Sequence, residues 1–328
     1  RERERERDFQ RERERERMEQ LMEKFTGKGG DFEIGEDSWF CGHREISGRC
    51  FVGKSAPRTL RDFYDRYVFK PEHSTYHHHH HHCPFIHRPS IHTHTVKNDF
   101  IVYEQERYSY REVWSRASAI GSYLTHSFDV RRGDRVAICM RNYPEWPIAF
   151  IAITAIGAVA VPMNSLWKSK ELKYGLKDSG AKVVICDEQR YGYMSSSIEE
   201  LGIVAIGVRT SVTPLNFERI VIDYRNTRMP LCHDLRTDDV GAIFYTSGTT
   251  GFPKGVVQTH RGICNQLSTV LVVDHIRSIA APPATQQPCM ICPVRSSSAK
   301  CEKLQSCHSL HTHILCLGLL QHKKDSLI

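Results

Sequence analysis

The sequence predicts an α/β domain built on a doubly wound parallel sheet, and three observations carry that expectation. Short runs such as RVAICM (135–140) and KVVIC (182–186) are apolar at consecutive positions, as strands covered on both faces must be. Segments with apolar residues at helical spacing separate those runs. A loop dense in glycine and hydroxyl residues, with one lysine, follows directly on another strand-like run.

Taken in chain order, Arg132-Gly133-Asp134 reads as a turn into the strand at 135–140. Residues 144–157 read as a helix with Trp146 and Phe150 one turn apart, and AVAVP (158–162) as the next strand. The apolar run 148–163 is shorter than the ~20 residues that span a bilayer, so no transmembrane segment is expected. Residues 168–178 form a polar-faced helix with Leu172 and Leu176 on one side, stopped by Gly180. The runs 182–186, 203–208, 219–223 and 240–245 read as further strands. Cys139, Cys186 and Cys264 sit in these apolar settings as small buried residues rather than nucleophiles.

The flanks differ in kind. Residues 1–20 are an Arg-Glu low-complexity tract whose eight arginines are cancelled by seven Glu and one Asp, expected as disorder or a solvated helix. Residues 21–68 are a poorly defined N-terminal segment. Residues 69–97 are a His/Pro-rich insertion; its six consecutive imidazoles, His77 to His82, would bind divalent ions even in an unfolded chain, but the composition reads as low-complexity. The α/β part occupies 98–294, and 295–328 reads as an unrelated or out-of-frame tail. In that tail and just before it, Cys289-x-x-Cys292 with Cys301, Cys307, His308, His311 and His313 offers zinc ligands, but Cys289 and Cys292 lie on a buried strand-like run and the other spacings fit no standard pattern, so no metal site is expected. The net charge of +7 is not gathered on any helix face or stripe, which argues against nucleic acid as a partner. The chain opens on a charge run rather than a signal peptide, so it is expected to be intracellular, with the cytoplasm first and a peroxisomal or membrane-associated place as alternatives.

The loop carries the chemistry. The run at 240–245 passes straight into Thr246-Ser247-Gly248-Thr249-Thr250-Gly251-Phe252-Pro253-Lys254-Gly255. In an open parallel sheet, ligands sit beyond the carboxyl ends of strands. Glycines there let backbone N–H groups converge on an anion, the hydroxyls of Thr246, Ser247, Thr249 and Thr250 add donors, and Lys254 adds a mobile cation. Those are the requirements of a triphosphate loop. It is not a Walker A loop, because Gly255 rather than Ser or Thr follows the lysine.

YTSGTTGFPKGV followed by QTHRG resembles the phosphate-binding signature of the adenylate-forming superfamily, the AMP-dependent synthetases and ligases, and within it the acyl-CoA synthetases. YSYREVWSRASAIGSYL, GDRVAICMRNYPEWPIAFIAITAIGAVAVPMN and ELKYGLKDSGAKVVICDE match upstream in the expected order, and TLRDFYDRYVF (59–69) resembles a displaced beginning. The resemblance implies that Ser247, Gly248, Thr249, Thr250, Gly251 and Lys254 bind the β- and γ-phosphates of ATP, with a hydroxyl of Thr246 or Thr249 reaching Mg²⁺. It implies two chemical steps: a carboxylic acid, a fatty acid first among them, is adenylated by ATP, and the thiol of CoA then displaces AMP. Aryl-CoA ligases and carrier-protein adenylation domains share the signature, and a non-catalytic nucleotide-binding remnant is the competing reading from outside enzymology. His260 and Arg261 open a helix after the loop, as a packing pair rather than a catalytic base.

Several later parts of the family pattern are not found. PCMICPV (288–294) resembles the strand that leads to the acyl pocket, but RSSSAK replaces the expected turn. No aromatic-Gly-x-Thr-Glu segment, later ribose-binding Asp or adenylation lysine follows. The chain therefore reads as a truncated N-terminal part, expected to be inactive alone, because groups that act together leave little residual rate when several are lost. Pyrophosphate release from ATP with Mg²⁺ and a panel of fatty acids is expected to stay at the level of a Lys254→Ala control; acid-dependent release above it would overturn this expectation. Deleting 1–17 and 71–96 is expected to leave the melting temperature unchanged or raised, since neither tract can bury enough apolar area to offset its ordering entropy.

Overall fold

The computed structural model describes residues 34–41, 44–53, 57–69, 99–246 and 252–268, together with helical, exposed positions at 12–13, 16, 19–20 and 23. The His/Pro-rich insertion beyond Phe69, residues 247–251 and everything after 268 lie outside the described residues. Strands β1 (Ile34–Cys41) and β2 (Arg44–Gly53) pair antiparallel as a separate ribbon.

Parallel strands form the centre of the domain: β5 (Arg135–Cys139), β6 (Val159–Pro162), β7 (Val183–Asp187), β8 (Val204–Val208), the short β9 (Leu215–Asn216) and β10 (Val240–Thr246). With β11 (Lys254–Thr259) they make a seven-stranded sheet in the order β11-β10-β6-β5-β7-β8-β9. The chain moves from β5 to β6 on one side, then crosses back to β7 on the other, which is the doubly wound pattern. Only β11 runs antiparallel, against β10.

Alternation along β5 shows why these runs had to be apolar throughout. Val136 and Ile138 face one layer while Ala137 and Cys139 face the other, all fully buried. The first layer holds α2 (Tyr110–Phe128), α3 (Glu145–Ala155) and α6 (Phe217–Asp223); the second holds α4 (Ser169–Ser179) and α5 (Glu188–Leu201). Helix α3 is buried at every residue, and its Trp146 and Phe150 rings stack 5.7 Å apart. Leu172 and Leu176 fill the inner side of α4, which Gly180 closes in the left-handed conformation at φ 60°. Helix α2 starts at a capping box, with the Ser109 hydroxyl accepting from the Glu112 N–H and the Glu112 carboxylate accepting from the Ser109 N–H.

Residues 219–223, expected as a strand, lie in α6. Asn216 caps its first turn by accepting from the Arg219 N–H, and Phe217, Ile220 and Val221 recur at helical spacing and are buried. The strand at this sheet edge is instead the two-residue β9, whose second residue is the capping Asn216.

Residues ahead of the insertion belong to the same core. Helix α1 (Leu60–Phe63), continued by a π-helical turn (Tyr64–Val68), starts at Thr59, whose hydroxyl accepts from the Asp62 N–H. Leu60, Phe63 and Tyr64 are buried to 1% or less; the Tyr64 hydroxyl meets Thr154 Oγ1 at 2.9 Å inside α3. Phe69 stacks on Trp114 at 4.8 Å and touches Phe100 at 5.6 Å. Strands β3 (Asp99–Tyr103) and β4 (Glu106–Ser109) then form a hairpin that leads into α2.

Burial at Leu60 and Phe63 has a measurable consequence. Phe63→Ala is expected to cost about 3–5 kcal/mol of stability in denaturant unfolding, as for other fully buried aromatic truncations, whereas an exposed change such as Arg66→Ala should cost under about 1 kcal/mol.

Candidate functional site

Strand β10 alternates as the sheet requires: Ala242 and Phe244 face the first layer, Tyr245 the second, and Thr246 emerges exposed at the carboxyl end. The chain then turns back as β11 instead of passing directly into a helix. The last rung of this ladder pairs Thr246 with Lys254, the Thr246 hydroxyl donating to the Lys254 carbonyl at 3.4 Å. Thr246 and exposed Lys254, both expected in the site, therefore stand opposite each other at the mouth of the hairpin. The other expected members, Ser247, Gly248, Thr249, Thr250 and Gly251, lie outside the described residues. Gly255 faces Ile243 and Tyr245 so closely that a Cβ there would come within 3.0 Å of Ile243 Cγ2.

Beside the mouth, the connections leaving the carboxyl ends of the parallel strands are tied to one another. Asp187, at the end of β7, accepts from the Arg190 N–H and the Arg141 N–H, both at 3.0 Å. The buried Arg190 guanidinium pairs with Asp187 and donates to the Ser165 carbonyl at 2.6 Å, which locks the connection after β6 to that after β7. Arg209, just past β8, is held at φ 54° between the Tyr103 and Tyr143 rings and donates to both Glu106 and Glu145. Its hydrogen bonds hold Glu106 below the usual carboxylate range, while burial raises Glu145 against the opposing pull of Arg209. These ion pairs are struts: every charge already has its partner.

His260 opens helix α7 (260–268) at the far end of the hairpin from the mouth, because β11 runs back along β10 until Thr259 pairs with Val240. It is fully buried, and its Nδ1 accepts from the Leu60 N–H at 3.1 Å, so the proton sits on Nε2, which finds no acceptor. Burial pushes its pKa down to about 4, with Asp239 pulling weakly the other way. The imidazole is a neutral bolt between α1 and α7. It packs, as expected, but not near the loop. Cys139 and Cys186 are likewise buried and face each other in register on β5 and β7; burial raises both thiols, Cys186 to about 12, so neither is a nucleophile. Among the described residues no group of three His, Cys, Asp or Glu is gathered for a metal ion. The cysteines and histidines of the tail lie outside the described residues. No helix of the described residues is long and apolar enough to cross a membrane.

Residues 91–294, which span the hairpin and the strands beside it, match the family described as AMP-binding enzyme. The chain belongs to this family of adenylate-forming enzymes. It is similar to 4-coumarate–CoA ligase 3 of Arabidopsis thaliana, 31% identical over 161 residues, covering 49% of this chain and 28% of that protein. It is also similar to the long-chain-fatty-acid–CoA ligase of Salmonella typhimurium, 29% identical over 189 residues, covering 49% of this chain and 34% of that protein. The chain thus spans about a third of the length of these CoA ligases. Among solved structures, the crystal structure of an anthranilate CoA ligase in complex with anthranoyl-AMP aligns at a TM-score of 0.47 and 26% identity, over 53% of this chain and 33% of that one.

The sequence reading missed Tyr245, Tyr174, Asp178 and Phe252, which border the mouth. Tyr174 and Asp178 are four apart on α4, on the side read as facing solvent.

A neutral His260 makes stability depend on pH in a definite direction. The unfolded imidazole takes up a proton below about 6.5 and the folded one only near 4, so stability is whole above pH 6.5 and falls as pH drops toward 4. Between pH 7 and pH 5 this one group is expected to remove about 2 kcal/mol. Urea unfolding of the wild type and of His260→Gln at the two pH values checks it: the variant should lose that share of the slope.

Proposed function

We propose that this chain carries the ATP-phosphate-binding part of an acid–thiol ligase of the acyl-CoA synthetase kind. The observation that supports the reading best is the hairpin mouth, where Thr246 and Lys254 stand opposite each other beyond the carboxyl end of β10, at the two ends of a Gly-Thr-Ser loop. A mobile ammonium there neutralises the β- and γ-phosphates, and the loop's backbone N–H groups and hydroxyls donate to their oxygens. The donor set is all oxygen on the metal side, which fits Mg²⁺; Thr246 or Thr249 would hold it through a hydroxyl, and when bound it supplies further neutralisation of the triphosphate.

In the reaction we propose, a carboxylate oxygen attacks the α-phosphorus, the bond to the bridging oxygen breaks, and pyrophosphate leaves with its electron pair. The CoA thiolate then attacks the acyl carbon and AMP departs. The loop's part is to hold the leaving pyrophosphate in line and to spread its growing charge. The acid is a fatty acid in this reading, with the cytoplasm as the compartment it takes first and a peroxisomal or membrane-associated place as alternatives.

Lys254→Ala is expected to weaken ATP binding by roughly tenfold to a hundredfold, the range of one lost charge-assisted bond. Titration calorimetry with ATP and Mg²⁺ checks it, and an unchanged affinity would remove the phosphate role from this lysine.

A further inference from the structure

Both ends of the phosphate loop rest on one helix. Before the loop, Tyr245 is buried, and its hydroxyl donates to Asp178 Oδ2 of α4 at 2.6 Å and lies 3.4 Å from the Gly175 carbonyl. Its ring stands edge-on to Trp167 at 5.6 Å. Burial first, and then the Asp178 carboxylate, raise the phenol's pKa, so it remains a protonated donor. After the loop, Phe252 is 62% exposed, yet its ring lies flat on Tyr174 of the same helix, 4.7 Å between centroids and 19° between planes. The Tyr174 hydroxyl donates in turn to Asp178 Oδ1 at 3.4 Å. Each oxygen of one carboxylate thus accepts a phenol, one from the strand that enters the loop and one from the ring that carries its exit. Gly175 lets the set come together: a Cβ there would sit 3.1 Å from the Trp167 ring.

We propose that Tyr174 and Asp178 of α4 are positioning residues for nucleotide binding, a clasp that holds the phosphate loop by Tyr245 at its entry and Phe252 at its exit. Neither needs to touch the nucleotide. With the strand that ends in Thr246 and the ring two residues before Lys254 both fixed on one helix, Thr246 and Lys254 have less freedom to lose when they meet the triphosphate, and that saving appears as affinity. The clasp rests on the ATP-binding reading above and adds to it the residues that hold the loop in place.

The test is the affinity of the full chain for ATP with Mg²⁺, by titration calorimetry, with the melting temperature recorded for each variant. Phe252→Ala, an exposed change, is expected to raise Kd roughly two- to tenfold at an unchanged melting temperature, the range of one lost aromatic pair. Tyr174→Ala should match it, Tyr174→Phe should restore most of the affinity because it keeps the stacked ring, and Tyr174→Ala with Phe252→Ala should be no worse than either alone, since all remove one contact. Should Tyr174→Ala unfold, Phe252→Ala and Phe252→Trp, which keeps a flat ring, carry the same comparison. Wild-type affinity in Phe252→Ala, or additive losses in the double variant, overturns the clasp. If those variants are silent while Lys254→Ala weakens ATP, the clasp fails and the phosphate loop stands; if Lys254→Ala is silent too, the phosphate reading fails and takes the clasp with it.

Discussion

Burial of β5 on both faces is the constraint on which the rest of the structure depends. A strand with apolar side chains above and below cannot exist without two layers of helices, and a parallel neighbour cannot follow it without a crossover that supplies one of them. Val136 and Ile138 on one side, with Ala137 and Cys139 on the other, therefore dictate α3 over the first face and α4 and α5 over the second. The small residues Ala137 and Cys139 lie on the side where α4 and α5 pack. The change of direction between β6 and β7 follows from the same arrangement, and with it the splayed carboxyl ends that the β10–β11 hairpin overlooks.

How far the fold could be read from the chain depended on whether its cause was local. Two-sided strands were legible because RVAICM, AVAVP and KVVIC leave no polar position for solvent. Gly180 announced its own turn, since few other residues take a positive φ without strain. The run RIVID misled because three of its five residues, Ile220, Val221 and Ile222, favour strands; the cap at Asn216, and the partners that buried Phe217, Ile220 and Val221, decided for a helix. Strand β11 was hidden for a different reason. Lys254, Gly255 and Gln258 make a poor strand by composition, and pairing with β10, a neighbour on the hairpin, supplies what propensity lacks.

The site divides in the same way. Thr246 and Lys254 were legible as candidates, because glycine and hydroxyl density after a strand suggests an anion cradle. Tyr174, Asp178 and Tyr245 were not, because their meeting joins residues about seventy positions apart and leaves no spacing in the sequence. His260 belongs with them: its partner is the Leu60 N–H, two hundred residues away, and nothing around either position foretells the other. What looked like an incidental histidine beside a loop is the buried join between the first and last described helices of the domain.

The Phe69 and Phe100 rings lie 5.6 Å apart between centroids, although thirty residues of sequence separate them. To the folded domain, the intervening stretch is a closed ring whose two ends are pinned at one point. The entropy of closing such a ring grows only with the logarithm of its length, so that doubling the stretch costs about 0.6 kcal/mol. At this junction the domain is nearly blind to how much chain passes through it.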